Sequence, residues 1–197
     1  MNLMTEELGV FSDVHGEYMN VFEMAEMFPR IIAWISLGDL IDKDRQIYFN
    51  QPALRAALQI GAQMIRGNHE QKTARDRLSE YEQNNQELLR NMPGETTFTF
   101  GNQQITALHY LPTDPMGMGV ATKLKPYSQR HDNYCAQFIG QGARTFLVGH
   151  THVAHDIMIG ETRVINPGSL GGKDLSAKSF AILSKNGDCR FVELPTN

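Results

Sequence analysis

The sequence predicts an α/β protein whose first half forms a partly parallel sheet and whose second half is rich in antiparallel hairpins. Two observations lead to this prediction. Short segments of β-branched and aromatic residues alternate with helical patterns over the first half of the chain. In the second half, turn dipeptides separate successive apolar segments. No linker, repeat or low-complexity segment interrupts the 197 residues, so we expect a single domain that spans residues 1–197.

Three strands and three helices are predicted in the first half. The first helix has Val21, Phe22 and Ala25 at helical spacing and ends before Pro29. The second helix has a proline near its start, and the third is strongly polar and ends before Pro93. The strands are expected at residues 8–11, 31–37 and 63–65, and the helices at residues 18–28, 52–60 and 71–91.

The second half is predicted to contain one strand at residues 145–148 and three hairpins. The hairpin turns are Gly101-Asn102, Gly160-Glu161 and Asn186-Gly187. Their strands are expected at residues 96–100 and 103–108, 156–159 and 162–165, and 180–184 and 189–193. A loop at residues 110–130 is rich in proline and glycine, and loops of this length are usually functional or disordered.

Composition and charge narrow the classes of function. The hydrophobic content of 41% and the charged content of 20% are those of an ordinary globular protein. The formal net charge of −4 at pH 7 argues against a broad nucleic-acid-binding surface. No apolar segment approaches the ~20 residues of a membrane span, and the N-terminus lacks the pattern of a signal peptide. Cys135 and Cys189 form no CxxC motif, so we expect reduced thiols and a cytoplasmic location.

Five of the predicted strands are followed directly by residues that can bind metal ions. Because ligands bind at the carboxyl ends of strands in open α/β sheets, we expect these residues to meet at one edge. A lone Asp-x-His sequence is usually a turn, but five of the seven histidines fall in these positions. The candidate metal ligands are Asp13, His15, Asp39, Asn68, His109, His150 and His152.

The types of these residues suit hydrolysis at two metal ions. Imidazole and carboxylate groups together favour Mn, Fe, Zn, Co or Ni over Mg or Ca, which prefer oxygen ligands. A carboxylate such as Asp39 can bridge two cations. Two such cations lower the pKa of a shared water molecule and bind both oxygens of an in-line displacement at phosphorus.

The ordered set of motifs resembles the calcineurin-like metallophosphoesterase superfamily, and in particular its small bacterial and archaeal phosphodiesterase branch. The resemblance implies a four-layer α/β/β/α fold, in which two β-sheets pack face to face as a sandwich flanked by helices. The segment Asn166-Pro167-Gly168-Ser169 supports the assignment to this branch. The motifs are Asp13-x-His15, Gly38-Asp39, Gly67-Asn68-His69-Glu70, His109 and Gly149-His150-x-His152.

The resemblance also implies roles for the site residues. His69 would be the catalytic imidazole, which bonds the phosphate or protonates the leaving oxygen, and Asp42 would orient it. One metal ion would be held by Asp13, His15, Asp39 and His152, and the other by Asp39, Asn68, His109 and His150. We expect two divalent cations, with Mn²⁺ first and Fe, Zn, Co or Ni as alternatives, and a metal-bridging hydroxide that attacks a small phosphodiester or phosphomonoester.

Two departures from the family pattern keep alternatives open. Protein Ser/Thr phosphatases of the superfamily carry an arginine where this chain has Lys43, and lysine lacks the bidentate fork that grips phosphate. A protein phosphatase is therefore disfavoured. Tyr110 stands where the family usually has glycine, which is compatible with a metal-binding interaction scaffold of little or no activity; the presence of His69 favours catalysis. The sequence assigns no oligomeric state, and a homo-oligomer is one alternative.

Overall fold

The computed structural model describes residues 6–42, 47–75, 83–110, 138–142, 144–172 and 177–195. Two five-stranded mixed sheets are built from ten strands. The first sheet has the order β10-β9-β1-β2-β3 and the second has the order β4-β5-β6-β8-β7. The strands are β1 (Glu7–Phe11), β2 (Trp34–Ser36), β3 (Gln63–Met64), β4 (Glu95–Phe100), β5 (Gln103–Leu108), β6 (Thr145–Leu147), β7 (His155–Ile159), β8 (Thr162–Asn166), β9 (Ser179–Ser184) and β10 (Cys189–Glu193).

Each sheet contains three adjacent parallel strands. In the first sheet β1, β2 and β3 run parallel, with Val10 opposite Ile35 and Ile35 opposite Gln63. In the second sheet β5, β6 and β8 run parallel, with Thr106 opposite Phe146. The remaining neighbours are antiparallel, and they include the three predicted hairpins. Each sheet therefore presents three carboxyl strand ends along one edge, as the positions of the candidate ligands require.

The two sheets pack face to face because the central strands are apolar on both faces. Along β1, Leu8 and Val10 point into the core between the sheets, whereas Phe11 points to the opposite face. The core between the sheets is completed from the second sheet by residues such as Ile105 and Leu147. This alternation divides one apolar strand between two cores. The predicted sandwich of two sheets flanked by helices is confirmed.

The described helices pack on the outer face of the first sheet. They are α1 (Tyr18–Met27), α2 (Ile47–Gln59), α3 (Asn68–Arg75) and α4 (Gln83–Asn91). Each helix contributes to the same core, for example through Met24, Leu54, Ala74 and Leu89. On the outer face of the second sheet, Phe138 packs against Phe146. None of the helices in the described ranges is long and apolar enough to cross a membrane.

The prediction of one helix at residues 71–91 is wrong. The structure has α3 and α4 there, and Nε of Arg90 donates a hydrogen bond of 3.3 Å to the carbonyl oxygen of Ala74. In one continuous helix these residues would lie about 24 Å apart. The polar composition of residues 71–91 gives no indication that the predicted helix is divided. In addition, α2 begins five residues before the predicted start, and residues 111–130 of the predicted loop lie outside the described residues.

Candidate metal centre

The predicted ligands occupy unusual backbone conformations. In the described part of the chain, five residues other than glycine have a positive φ angle, and all five are predicted ligands. Such conformations cost about 1–3 kcal/mol each and persist only where the surrounding structure fixes them, which is typical of functional sites. The residues are Asp13 (φ 55°), His15 (φ 50°), Asp39 (φ 52°), His150 (φ 72°) and His152 (φ 60°).

Backbone hydrogen bonds between the turns hold these conformations. The amide of Asp13 donates to the carbonyl of Gly38 at 3.0 Å, and the amide of His15 donates to the carbonyl of Asp39 at 2.9 Å. The turn after β1 is therefore fixed to the turn after β2. In the second sheet, the amide of Gly149 donates to the carbonyl of His109 at 3.1 Å. In each sheet, two ligand turns that follow neighbouring parallel strands are thus bound to each other.

Asp13, His15 and His152 form the first group of candidate ligands, and one ligand atom from each lies within 4.8 Å of the others. Oδ2 of Asp13 accepts a hydrogen bond of 2.9 Å from the amide of His150. Oδ1 of Asp13 is buried without a hydrogen-bond partner, and Nε2 of His152 lies 3.2 Å from it. A buried carboxylate oxygen that faces two imidazoles in this way is a suitable ligand for a cation.

Asp39, His109 and His150 form the second group, and Asn68 lies beside it. Nδ1 of His109 lies 2.9 Å from the carbonyl oxygen of Leu37, which can only accept, so Nδ1 carries the proton. Nε2 of His109 is then the ring nitrogen left to bind a cation, and it faces three other atoms that can bind metal ions. These are Oδ1 of Asn68 at 3.1 Å, Oδ2 of Asp39 at 3.3 Å and Nδ1 of His150 at 3.3 Å. Carboxylate, amide and imidazole atoms within 3.3 Å of Nε2 of His109 form a donor set that fits a divalent metal ion.

The electrostatics of the second group also favour a positive charge. Burial lowers the pKa of His109, but the negative charge of Asp39 and its hydrogen bond outweigh burial and raise the pKa to about 9. Burial and the charge of His109 lower the pKa of His150 to about 4. Burial raises the pKa of Asp13, but the close imidazole of His152 and the charge of His109 lower it to about 2. Burial also raises the pKa of Asp39, but the charge of His109 and its hydrogen bond hold this pKa well below its usual range. Asp13 and Asp39 are therefore both ionised in a buried site that attracts cations.

His69 and Asp42 lie beside the ligands. Nδ1 of His69 is 3.5 Å from Oδ1 of Asp42, and Nε2 of His69 is 3.7 Å from Oδ2 of Asp39. The rings of His69 and His15 are 4.8 Å apart between centroids. The side chains of His15, Asp42 and His69 are all buried. The structure thus brings all nine predicted site residues to the carboxyl edge of the two sheets, and it places His69 between Asp42 and the ligand groups.

Three buried polar residues at this edge received no role in the sequence analysis. The side chain of Glu70 accepts hydrogen bonds from the amides of Gly67, Asp39 and Ile41. Nδ2 of Asn166 donates to the carbonyl of Gly149 at 2.8 Å, and Oγ of Ser169 donates to the carbonyl of Asp13 at 2.9 Å. Burial and the charge of Asp39 raise the pKa of Glu70 to about 7. The sequence feature that could have identified these three residues is their position in or after the recognised motifs.

Tyr110 packs against the second group. Its ring centroid lies 5.6 Å from that of His109 and 5.5 Å from that of His150. Its hydroxyl donates a hydrogen bond of 3.0 Å to Oε1 of Gln71 on α3. Tyr110 therefore links the end of β5 to the helix that carries Asn68. Lys43, the other departure from the family pattern, lies outside the described residues.

Comparisons with known proteins agree with this arrangement. The model of the calcineurin-like phosphoesterase superfamily domain matches residues 7–188. Similar solved structures include a hypothetical protein from Pyrococcus horikoshii OT3, with a TM-score of 0.73, 16% identity and coverage of 100% of this chain and 89% of that chain. A metallophosphoesterase from Sphaerobacter thermophilus has a TM-score of 0.69, 17% identity and coverage of 98% and 89%. A novel archaeal phosphodiesterase has a TM-score of 0.59, 17% identity and coverage of 95% and 99%. No curated protein matches the sequence.

Gly67 is the position where added volume should damage the site most directly. A Cβ atom there would lie 2.2 Å from Oδ1 of Asp39 and 2.5 Å from its backbone nitrogen. We expect Gly67→Ala to displace Asp39 and to weaken Mn²⁺ binding about 10- to 100-fold, as measured by calorimetric titration of metal-free protein. Gly94→Ala is the control, because the nearest atom to its Cβ is Nη2 of Arg66 at 4.0 Å. Equal Mn²⁺ affinity in the two variants would contradict this steric argument.

Proposed function

This chain belongs to the calcineurin-like phosphoesterase superfamily, and we propose that it hydrolyses a small phosphodiester or phosphomonoester at a centre of two divalent cations. The observation that supports the proposal most strongly is that atoms able to bind metal ions come together from five strand ends, those of β1, β2, β3, β5 and β6. Asp13, His15, Asp39 and His152 would hold one cation. Asp39, Asn68, His109 and His150 would hold the other, with Asp39 common to both.

The mixed carboxylate, amide and imidazole donors favour Mn²⁺ first, with Fe, Zn, Co or Ni as alternatives. Bound cations would supply Lewis-acid activation of water and neutralise charge on the phosphoryl group. The protein itself fixes the direction of its donors. The hydrogen bond from Nδ1 of His109 to the carbonyl of Leu37 determines which ring nitrogen is available as a ligand.

His69 is proposed as the group that bonds the phosphoryl oxygen or gives a proton to the leaving oxygen. Its Nδ1 faces the carboxylate of Asp42, so a proton on Nδ1 is held by that carboxylate. Its Nε2 then points to the side of the ligand groups, where Oδ2 of Asp39 lies 3.7 Å away. Burial excludes bulk water from the ring, which strengthens its hydrogen bond to a bound anion.

Two substitutions separate cation binding from proton transfer. In Mn²⁺-loaded protein, we expect Asp39→Asn to lose bound metal and hydrolysis of aryl phosphoesters together. His69→Ala should retain metal, measured by elemental analysis, while kcat falls about 10²- to 10⁴-fold. Asp188→Asn is the control for the carboxylate, because Asp188 is exposed in the β9–β10 turn at the opposite end of the first sheet.

Turnover unchanged by Asp39→Asn and His69→Ala would contradict the assignment of the site. A wild-type protein that binds Mn²⁺ but hydrolyses no member of a broad phosphoester panel would instead support the interaction scaffold.

The substrate class can be tested with a pair of aryl esters. One similar archaeal protein is a phosphodiesterase, so a diester is the first class to test. We expect a higher kcat/KM for the bis-aryl phosphate than for the mono-aryl phosphate at saturating Mn²⁺. The reverse order would identify a phosphomonoesterase and leave the assignment of the metal ligands unchanged.

The role of Asp42 is tested by a double-mutant cycle. If Asp42 acts by orienting His69, Asp42→Asn should lower kcat about 10- to 100-fold without changing metal content, and it should have little further effect when His69 is already alanine. Additive losses in the double variant would show that Asp42 acts independently of His69.

A further inference from the structure

Glu70 is a fully buried carboxylate that belongs to neither group of candidate ligands. Its residue has 0% exposure, and it lies in the first turn of α3. Oε2 accepts hydrogen bonds from the amides of Gly67 and Asp39, both at 2.8 Å, and Oε1 accepts one from the amide of Ile41 at 3.1 Å. A buried charged side chain requires such partners, and all three of these partners are backbone groups.

Helix capping explains only one of the three bonds. The amide of Gln71 donates to the carbonyl of Gly67, so Gly67 occupies the N-cap position of α3. The bond from the Gly67 amide to Glu70, three residues later, is the reverse half of a capping box. The other two bonds join α3 to residues 39–41, which follow β2 and are 31 and 29 residues away along the chain.

Asp39 returns a bond to the same helix turn. Its Oδ1 accepts a hydrogen bond of 2.9 Å from the amide of His69. Because Oδ1 is occupied in this way, Oδ2 is the oxygen that lies 3.3 Å from Nε2 of His109. The backbone of Asp39 has a φ angle of 52°, a left-handed conformation that is uncommon for residues other than glycine and costs free energy. Glu70 supplies the bond to the amide of this strained residue.

We propose that Glu70 is a positioning residue, whose carboxylate holds the backbone of Asp39 so that Oδ2 stays directed at Nε2 of His109. For its consequence in catalysis, this role rests on the proposed function. The side chain must accept three N–H groups at once, which two carboxylate oxygens can do. A glutamine of the same size offers one carbonyl oxygen, and its NH2 group would face at least one of the three N–H donors.

Glu70→Gln therefore tests the proposal with minimal change in volume. We expect this variant to bind Mn²⁺ about 10- to 100-fold more weakly than the wild type in calorimetric titration of metal-free protein. Thr162→Val is the matched control for loss of a buried hydrogen bond. Oγ1 of Thr162 donates to the carbonyl of Gly142 at 2.7 Å, at the end of β8 that is remote from the ligands, so its loss should leave Mn²⁺ affinity unchanged.

Two results would overturn the proposal: Mn²⁺ affinity of Glu70→Gln within twofold of the wild type, or an equal loss of affinity in Thr162→Val. The titration does not depend on turnover. A wild type that binds Mn²⁺ but lacks phosphoesterase activity would refute the proposed function and leave the positioning role to be judged by the affinities alone.

Hydrogen exchange of the wild type keeps the proposal testable if Glu70→Gln fails to fold. In metal-free protein, the amides of Asp39 and Ile41 should exchange as slowly as the amide of Leu37, which donates to the backbone of Phe11. Fast exchange of the Asp39 and Ile41 amides in metal-free protein, with protection only after Mn²⁺ is added, would show that the cation holds this segment and would overturn the role of Glu70.

Discussion

The need to stabilise two buried carboxylates, Asp13 and Asp39, governs the organisation of this protein. Both lie at the junction of the two sheets, where an unpaired charge would be very costly. The two carboxylates have the same arrangement of partners. Each carboxylate uses one oxygen to accept a backbone N–H, from His150 for Asp13 and from His69 for Asp39, and each directs the other oxygen at imidazoles. The backbone thus stabilises one oxygen of each carboxylate, and the other oxygen remains available to bind a cation.

This division depends on turns that hold one another. The turn with Asp13 is bonded to the turn with Asp39, which is bonded in turn to Glu70 on α3. Asn166 fixes the turn with His150 through the carbonyl of Gly149. Strained backbone at the ligands is therefore supported by hydrogen bonds to neighbouring turns, and the turns themselves extend from strands buried in two apolar cores. Substitutions at these positions are expected to have effects that do not add, because the residues share partners.

The sequence predicted that the candidate site residues follow strand ends, because strand ends are local features. An apolar run followed by a polar residue marks a strand end, and both β5 and β10 have their predicted bounds. The sandwich itself followed from the family resemblance, since hairpin signals give no indication that β5, β6 and β8 run parallel. The break between α3 and α4 was missed because a polar helix carries little periodic pattern. The roles of Glu70 and Ser169 could not be predicted either, since their contacts join residues that are 31 and 156 positions apart.

The first turn of α3 supplies three consecutive residues to the candidate site. Asn68, His69 and Glu70 are consecutive, and a helix rotates successive side chains by about 100°. Asn68 accordingly faces His109, His69 faces Asp42, and Glu70 faces the backbone of residues 39–41. The unpaired amides of a helix N-terminus carry partial positive charge, which favours the nearby carboxylates. The start of this helix therefore positions a candidate ligand (Asn68), the candidate proton donor (His69) and the residue that supports Asp39 (Glu70). Any displacement of α3 would therefore disturb all three at once, and the hydrogen bonds between Glu70 and residues 39–41 oppose such a displacement.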